Sequence, residues 1–222
     1  MTLLLYGIVR ADHRLPAGLR AVVRDDLAVV VSDLGAAEPT AEDARSHLDV
    51  LCGLIETGPV LPLRFASTAA DDDSVRDNAV IADPAAVRHE LDRLTGMAEV
   101  HVQLTFDETT VLNALLAEDP ALARAVVGFD ATVERGRRIA DRVDAWTARQ
   151  ADALLRPIAD DLVRLADNDN GEQRWALLVR HDELDRLADA IGALPVTAGA
   201  IGPLPPYNFV SLPVKPVSRW GF

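Results

Sequence analysis

A single cysteine, Cys52, rules out a disulfide framework within the chain. It lies on an apolar helix face beside Leu51 and Leu54, with no His or Asn placed to activate it, so an inert buried thiol is expected. Nowhere does an apolar run reach the 18 residues of a membrane span. The first residues, Met-Thr-Leu-Leu-Leu-Tyr-Gly-Ile-Val, have no basic region and no cleavage site, and Arg10 ends them. They read as a buried strand and not as a signal peptide, which makes a cytoplasmic location the expectation. Positive charge is scarce: 22 Lys plus Arg face 35 Asp plus Glu, for a formal net charge of −13. Such a body repels phosphate backbones and anionic lipid, so neither nucleic acid nor a membrane surface is an expected partner. The phosphate-binding loop, the dinucleotide fingerprint, Gly-x-Ser-x-Gly and the zinc-protease helix are all missing.

What is present is a globular composition, 49% hydrophobic and 26% charged, over 222 residues. Leu3 to Val9 reads as a strand buried on both faces and Leu27 to Ser32 as a second. Thr40 can cap a helix, with Asp43 three residues on, and Ala44, Leu48, Leu51, Cys52 and Ile55 recur at helical spacing until Gly58-Pro59. Val60 to Phe65 is a short strand whose Pro62 implies a sheet edge or a bulge. Asp71-Asp72-Asp73 opens a helix, Pro84 to Leu94 forms another, and Met97 to Phe106 alternates as a strand. The order β-β-α-β-α-β over residues 1–107 predicts a ferredoxin-like α/β sandwich.

Residues 108–222 predict a second, α+β domain. A helix broken at Asp119-Pro120 leads to a long helix from about 130 to 156, ended by Pro157. A hairpin spans about 162 to 179, with Asn170-Gly171 as its turn signal. An amphipathic helix from His181 to Ile191 and a strand from Val196 to Ile201 follow. Gly199 to Val210 is rich in proline and aromatics and should be extended, stiff and pinned to the body, with Tyr207 and Phe209 largely buried.

No catalytic, cofactor or metal site emerges from the residues. The histidines, His13, His47, His89, His101 and His181, show no metal-ligand spacing. Asp167 to Glu172 fails as a calcium loop, because Ala166 and Leu177 occupy the positions that need carboxylates. One pattern stands out on the long helix: at about 100° per residue, Arg135, Arg138, Arg142, Arg149 and Arg156 fall within an arc of about 60°. Val133, Ile139, Val143, Trp146 and Leu154 take a separate arc. The arginines either pair with the chain's own carboxylates or form a docking strip for an acidic partner.

Several stretches together resemble the gas vesicle protein family GvpL/GvpF. They are Leu4-Leu-Tyr-Gly-Ile-Val9, Gly58-Pro-Val-Leu-Pro-Leu-Arg-Phe65, Asp107-Glu108 before an apolar helix, Val133-Glu-Arg-Gly136, and Gly202-Pro-Leu-Pro-Pro-Tyr-Asn-Phe-Val210. The most specific pair contributes Leu61, Pro62, Leu63, Arg64 and Phe65 with Gly202, Pro203, Pro206, Tyr207 and Phe209. Where that family usually has Gly-Thr after the Phe, this chain has Ala66-Ser67-Thr68. The resemblance implies two α+β domains and a non-enzymatic accessory protein of gas vesicle assembly. Such a protein would bind the small hydrophobic wall protein as a chaperone-like factor or minor shell component, and would associate with the vesicle. Two other readings stay open: a small-molecule-binding or enzymatic protein sharing the fold, and a scaffold for other accessory proteins.

Overall fold

The structure, a computed structural model, describes residues 2–34, 40–77, 81–124, 127–166 and 172–212. The chain forms two compact units, each discontinuous in sequence. The first takes residues up to Glu99, Leu178–Asp182 and the chain from Gly202; the second takes Val100–Leu177 and Glu183–Ile201. Three of the four cuts fall inside strands and one in the 3-10 turn His181–Glu183, whereas the sequence suggested one cut at 107/108.

The first unit is built on β1 (Leu3–Arg10), whose side chains are buried on both faces up to Val9. Its partners are β3 (Leu27–Asp33) on one edge, and β4 (Leu61–Pro62) and β5 (Thr68–Ala69) on the other, all antiparallel. β2 (Arg20–Arg24) pairs outside β3, giving the order β2-β3-β1-β4. The sequence did not suggest β2. Its two-residue turn is Asp25-Asp26, where Asp25 takes φ 57°, a conformation that Asp tolerates but signals less strongly than Asn-Gly. β4 lies at the sheet edge that Pro62 implied.

Helix α1 (Ala41–Ile55) carries the expected capping box: Asp43 N–H donates to Thr40 Oγ1 at 3.2 Å and Thr40 N–H to the Asp43 carboxylate at 2.8 Å. Its buried face is His47, Leu51, Leu54 and Ile55, a correction of the face expected from Ala44, Leu48, Leu51, Cys52 and Ile55. Leu51, Leu54 and Ile55 pack with Leu4, Tyr6, Val9, Ala28, Val30 and Val60 into one core cluster. α2 (Asp72–Asp77) starts at the acidic triplet, with Ser74 N–H donating to Asp71 at 2.7 Å, and α3 (Pro84–Arg93) is capped by Asp83. Arg20–Asp72 and Arg88–Asp26 ion pairs tie these helices to the β2–β3 hairpin.

The strand Met97–Thr105, β6, does not join the first sheet. It belongs to a second sheet with β7 (Asp161–Arg164), β8 (Gln173–Arg180) and β9 (Thr197–Leu204), in the order β7-β8-β6-β9. In the second unit α4 (Glu108–Glu118) ends at Asp119, and a 3-10 turn, Pro120–Ala123, follows as the proline requires. α5 (Phe129–Leu155) is the long helix; Val111, Leu115 and Leu122 pack against its Ile139, Val143 and Trp146. α6 (Leu184–Gly192) buries Leu187 and Ile191. The Asn170-Gly171 turn lies outside the described residues, although Leu165 N–H donating to the Arg174 carbonyl closes the hairpin beside it.

Candidate functional site

The two segments singled out by their proline and aromatic content meet within the first unit at the backbone of Leu63. Leu63 donates its N–H to the Tyr6 carbonyl at 2.8 Å. Its carbonyl receives the Tyr207 hydroxyl at 3.1 Å and His47 Nε2 at 3.2 Å, filling both lone pairs. The carbonyl can only accept, so Nε2 carries the proton and His47 is the Nε2–H tautomer. Its ring stacks on Tyr6 at 4.9 Å and meets Phe65 edge-on at 5.5 Å. Burial holds the His47 pKa below its ordinary 6.5, against the raising effect of the Leu63 hydrogen bond.

The terminal segment is held at further points. Asn208 donates its backbone N–H and Nδ2 to the Glu99 carboxylate at 2.8 and 2.6 Å. Ser211 N–H reaches Glu90, and Arg93 bridges Glu90 and the Phe209 carbonyl. Glu99 and Glu90 are 1% and 6% exposed, so both are buried carboxylates clasping the chain end. Arg93 then Ser211, acting against burial, keep Glu90 below the ordinary carboxylate range. Pro203, beyond a cis Gly202–Pro203 bond, offers its carbonyl to Cys52 Sγ at 3.8 Å. Burial, then Asp49 and Glu56, push the Cys52 thiol up, as suits an unreactive group.

Of the residues in the two segments, Leu61, Pro62, Leu63, Pro206 and Phe209 are buried, Phe65 and Pro203 half-buried, and Arg64 and Gly202 exposed. Tyr207 corrects the expectation of burial: the residue is 37% exposed, although its hydroxyl is tucked onto Leu63. Burial, followed by the Cys52 and Glu99 charges, pushes its pKa up to about 12. His47, Glu90 and Glu99 were not singled out from sequence. For His47 the available signal was its spacing to Leu51 and Leu54; for the hold of the two glutamates on the terminal segment there was none, because Asn208 and Ser211 lie more than a hundred residues away.

In the second unit the arginines of α5 do not form one free strip. Arg135 donates to the Leu122 carbonyl at 2.9 Å, Arg142 pairs with Asp119 at 3.2 Å, and Arg149 lies 3.8 Å from Glu118. Arg156 pairs with Asp152 one turn back. Arg138 is exposed, with no such contact among the described residues. The same unit holds an open groove of about 560 Å³. The β6 end and α4 start form one wall (Phe106, Asp107, Thr110), α5 another (Trp146, Gln150, Leu154), and Leu194 to Thr197 the third. Phe106 and Trp146 meet edge-on at 6.1 Å. Asp107 is occupied as the α4 cap, donated to by Thr110 N–H at 2.8 Å. Among the described residues no three His, Cys, Asp or Glu side chains gather to hold a metal. Nor is any helix among them long and apolar enough to cross a membrane.

Two sheets, a 27-residue helix and two tightly joined Pro-rich segments define a mixed α+β protein of two contact units. The chain belongs to the family described as gas vesicle synthesis protein GvpL/GvpF, which it matches over residues 2–211. It is 30% identical to gas vesicle protein F of Streptomyces sp. (strain CB03234), across 95% of this chain and 100% of that one. Its fold is similar to the crystal structure of GvpF from Microcystis aeruginosa, with a TM-score of 0.75 at 18% identity, covering 95% of this chain and 99% of the other. It is also similar to GvpF from Anabaena sp. PCC7120, with a TM-score of 0.73 at 16% identity, covering 95% and 96%.

Proposed function

We propose that this chain is a non-enzymatic assembly factor of gas vesicles that binds the small hydrophobic wall protein. It either shields that protein before polymerisation or joins the shell as a minor component, and it works in the cytoplasm in association with the vesicle. The observation that carries this reading is the family match along almost the entire chain, residues 2–211. The physical character of the molecule supports it. A body of net charge −13 stays soluble while handling an apolar client. Val127, Phe129 and Ile201 stand 97%, 83% and 69% exposed and offer apolar side chains to such a client.

The test is co-expression of the wall protein from the same gene cluster, with and without this chain. More soluble wall protein in its presence, and co-purification through a tag on this chain, are expected. Equal soluble wall protein with no co-purification would reject the reading.

A further inference from the structure

From Ala190 to Val214 the sequence contains no Asp, Glu, Lys or Arg, in a chain of which 26% is charged. Strand β9 lies inside this run and stands last in its sheet, so one edge pairs with β6 and no strand among the described residues covers the other. Its faces are open too: Thr197, Gly199, Ala200 and Ile201 are all exposed. Edge strands are ordinarily blunted by charge, proline, a bulge or a covering element, because their free N–H and C=O groups invite another strand. Thr197-Ala-Gly-Ala-Ile201 has neither charge nor proline; the prolines nearby, Pro195 and Pro203, lie just before the strand and towards its far end. The groove of the second unit begins at the same strand, since Thr197 is one of its lining residues beside Phe106, Trp146, Leu154 and Pro195.

We propose that the Thr197–Ile201 edge is a strand-addition site. An uncharged, extended segment of the wall protein pairs with β9, and one of its bulky apolar side chains enters the groove. This rests on the wall-protein reading above and names the surface that would carry it. Main-chain pairing supplies attraction that is indifferent to side-chain identity, and the groove supplies selection. Charge narrows the occupant. An acidic strand is repelled by a body at −13, and Thr197–Ile201 itself carries no charge to pair with a strand of either sign. A second copy of the chain would bring another −13 against the first, which opposes self-pairing.

The experiment uses the full chain co-expressed with the wall protein, captured through a tag, with amide exchange read on the captured complex and on the chain alone. Ala200→Lys and Ile201→Lys place a charge on the edge at exposed positions. Val163→Lys, on the opposite edge strand β7 and 37% exposed, is the control. The expected result is slower exchange at 197–201 in the complex, and about tenfold or greater loss of capture for both edge variants, about 1.4 kcal/mol or more. Val163→Lys should bind as the parent, and all three variants should melt as the parent does. Parent capture without protection at 197–201, or with edge variants that bind normally, would overturn the strand-addition site and leave wall-protein binding standing. Protection that grows with the concentration of the chain alone would overturn it in favour of a second copy. Failure of the parent to capture wall protein would reject the functional reading itself.

Discussion

Gly7 and Ala66 are two backbone positions at which the residue present and the conformation required stand in opposite relation. A Cβ on Gly7 would lie 2.7 Å from Val60 Cγ2 and 2.9 Å from the Leu61 carbonyl oxygen, because β4 crosses β1 closely there. Only glycine fits without moving backbone. Ala66 has φ 64°, the left-handed region, where its Cβ is a liability and a glycine would be at ease. That turn separates β4 from β5 and lets both pair with the same edge of β1. Ala66→Gly should therefore stabilise the protein by about 1 kcal/mol. Gly7→Ala should destabilise it by about 1–3 kcal/mol. Denaturant melts of the two variants beside the parent would measure both; shifts of the same sign would show that these contacts are misassigned. Neither need was read from the sequence: the left-handed turn at Ala66 serves the pairing of β4 and β5 with β1, and the atoms that crowd Gly7 come from Val60 and Leu61.

Elements defined by local chemistry were legible, and elements defined by distant partners were not. Thr40 and Asp43 announce the start of α1, Pro84 the first turn of α3, and Asp119-Pro120 the break after α4, because capping and proline sterics act within a few residues. β1 and β3 were equally plain from their continuous apolar runs, and the long helix from its periodicity. The sheet that β6 joins was not, because pairing depends on β8 and β9, far along the chain. The five arginines were visible as a stripe, but the partners of three of them, Glu118 for Arg149, Asp119 for Arg142 and the Leu122 carbonyl for Arg135, lie on the segment before α5 and had to be found in space. The terminal segment, too, was recognisably stiff, yet the groups that hold it, the buried Glu90 and Glu99, Arg93 and the Leu63 carbonyl, all lie more than a hundred residues before it. Asn208→Ala tests that hold. It removes the Nδ2 donor from the buried Glu99 carboxylate, and a hydrogen bond to a charged group contributes about 1.5–3 kcal/mol. The variant should lose about that much stability, and amides 207–211 should exchange faster. Unchanged melting together with unchanged exchange would mean that the segment is held elsewhere.

At the scale of the whole molecule, the groups whose ionisation is displaced define a pH range of maximal stability. His47 and His13 are both held below the ordinary 6.5 by burial, so the folded protein keeps them neutral while the unfolded chain would take up protons. Their contribution is complete above about 6.5 and is lost as pH falls through that value towards their folded pKa values. Cys52 is raised above 9.0, and Tyr207 from 10.0 to about 12. These groups favour the fold while neutral, and their contribution is lost as pH rises from about 9 through their folded pKa values. Carboxylates act at the far acid end: the Arg88 guanidinium holds Asp26 at about 2, and Asp144 is lowered chiefly by Arg164. What they contribute is present above the ordinary carboxylate range and is lost as pH falls towards 2. Stability should therefore be flat between about 6.5 and 9 and fall on both sides. Two acid steps should lie on either side of the isoelectric point near 4.7, where solubility is lowest. Denaturant melts at dilute concentration from pH 7.5 to 5.5 would resolve the first step. His47→Gln keeps an N–H for the Leu63 carbonyl but cannot charge, so its stability should fall less over that interval. If parent and variant lose stability equally from pH 7.5 to 5.5, the histidine beneath the two joined segments is not what the acid limb reports.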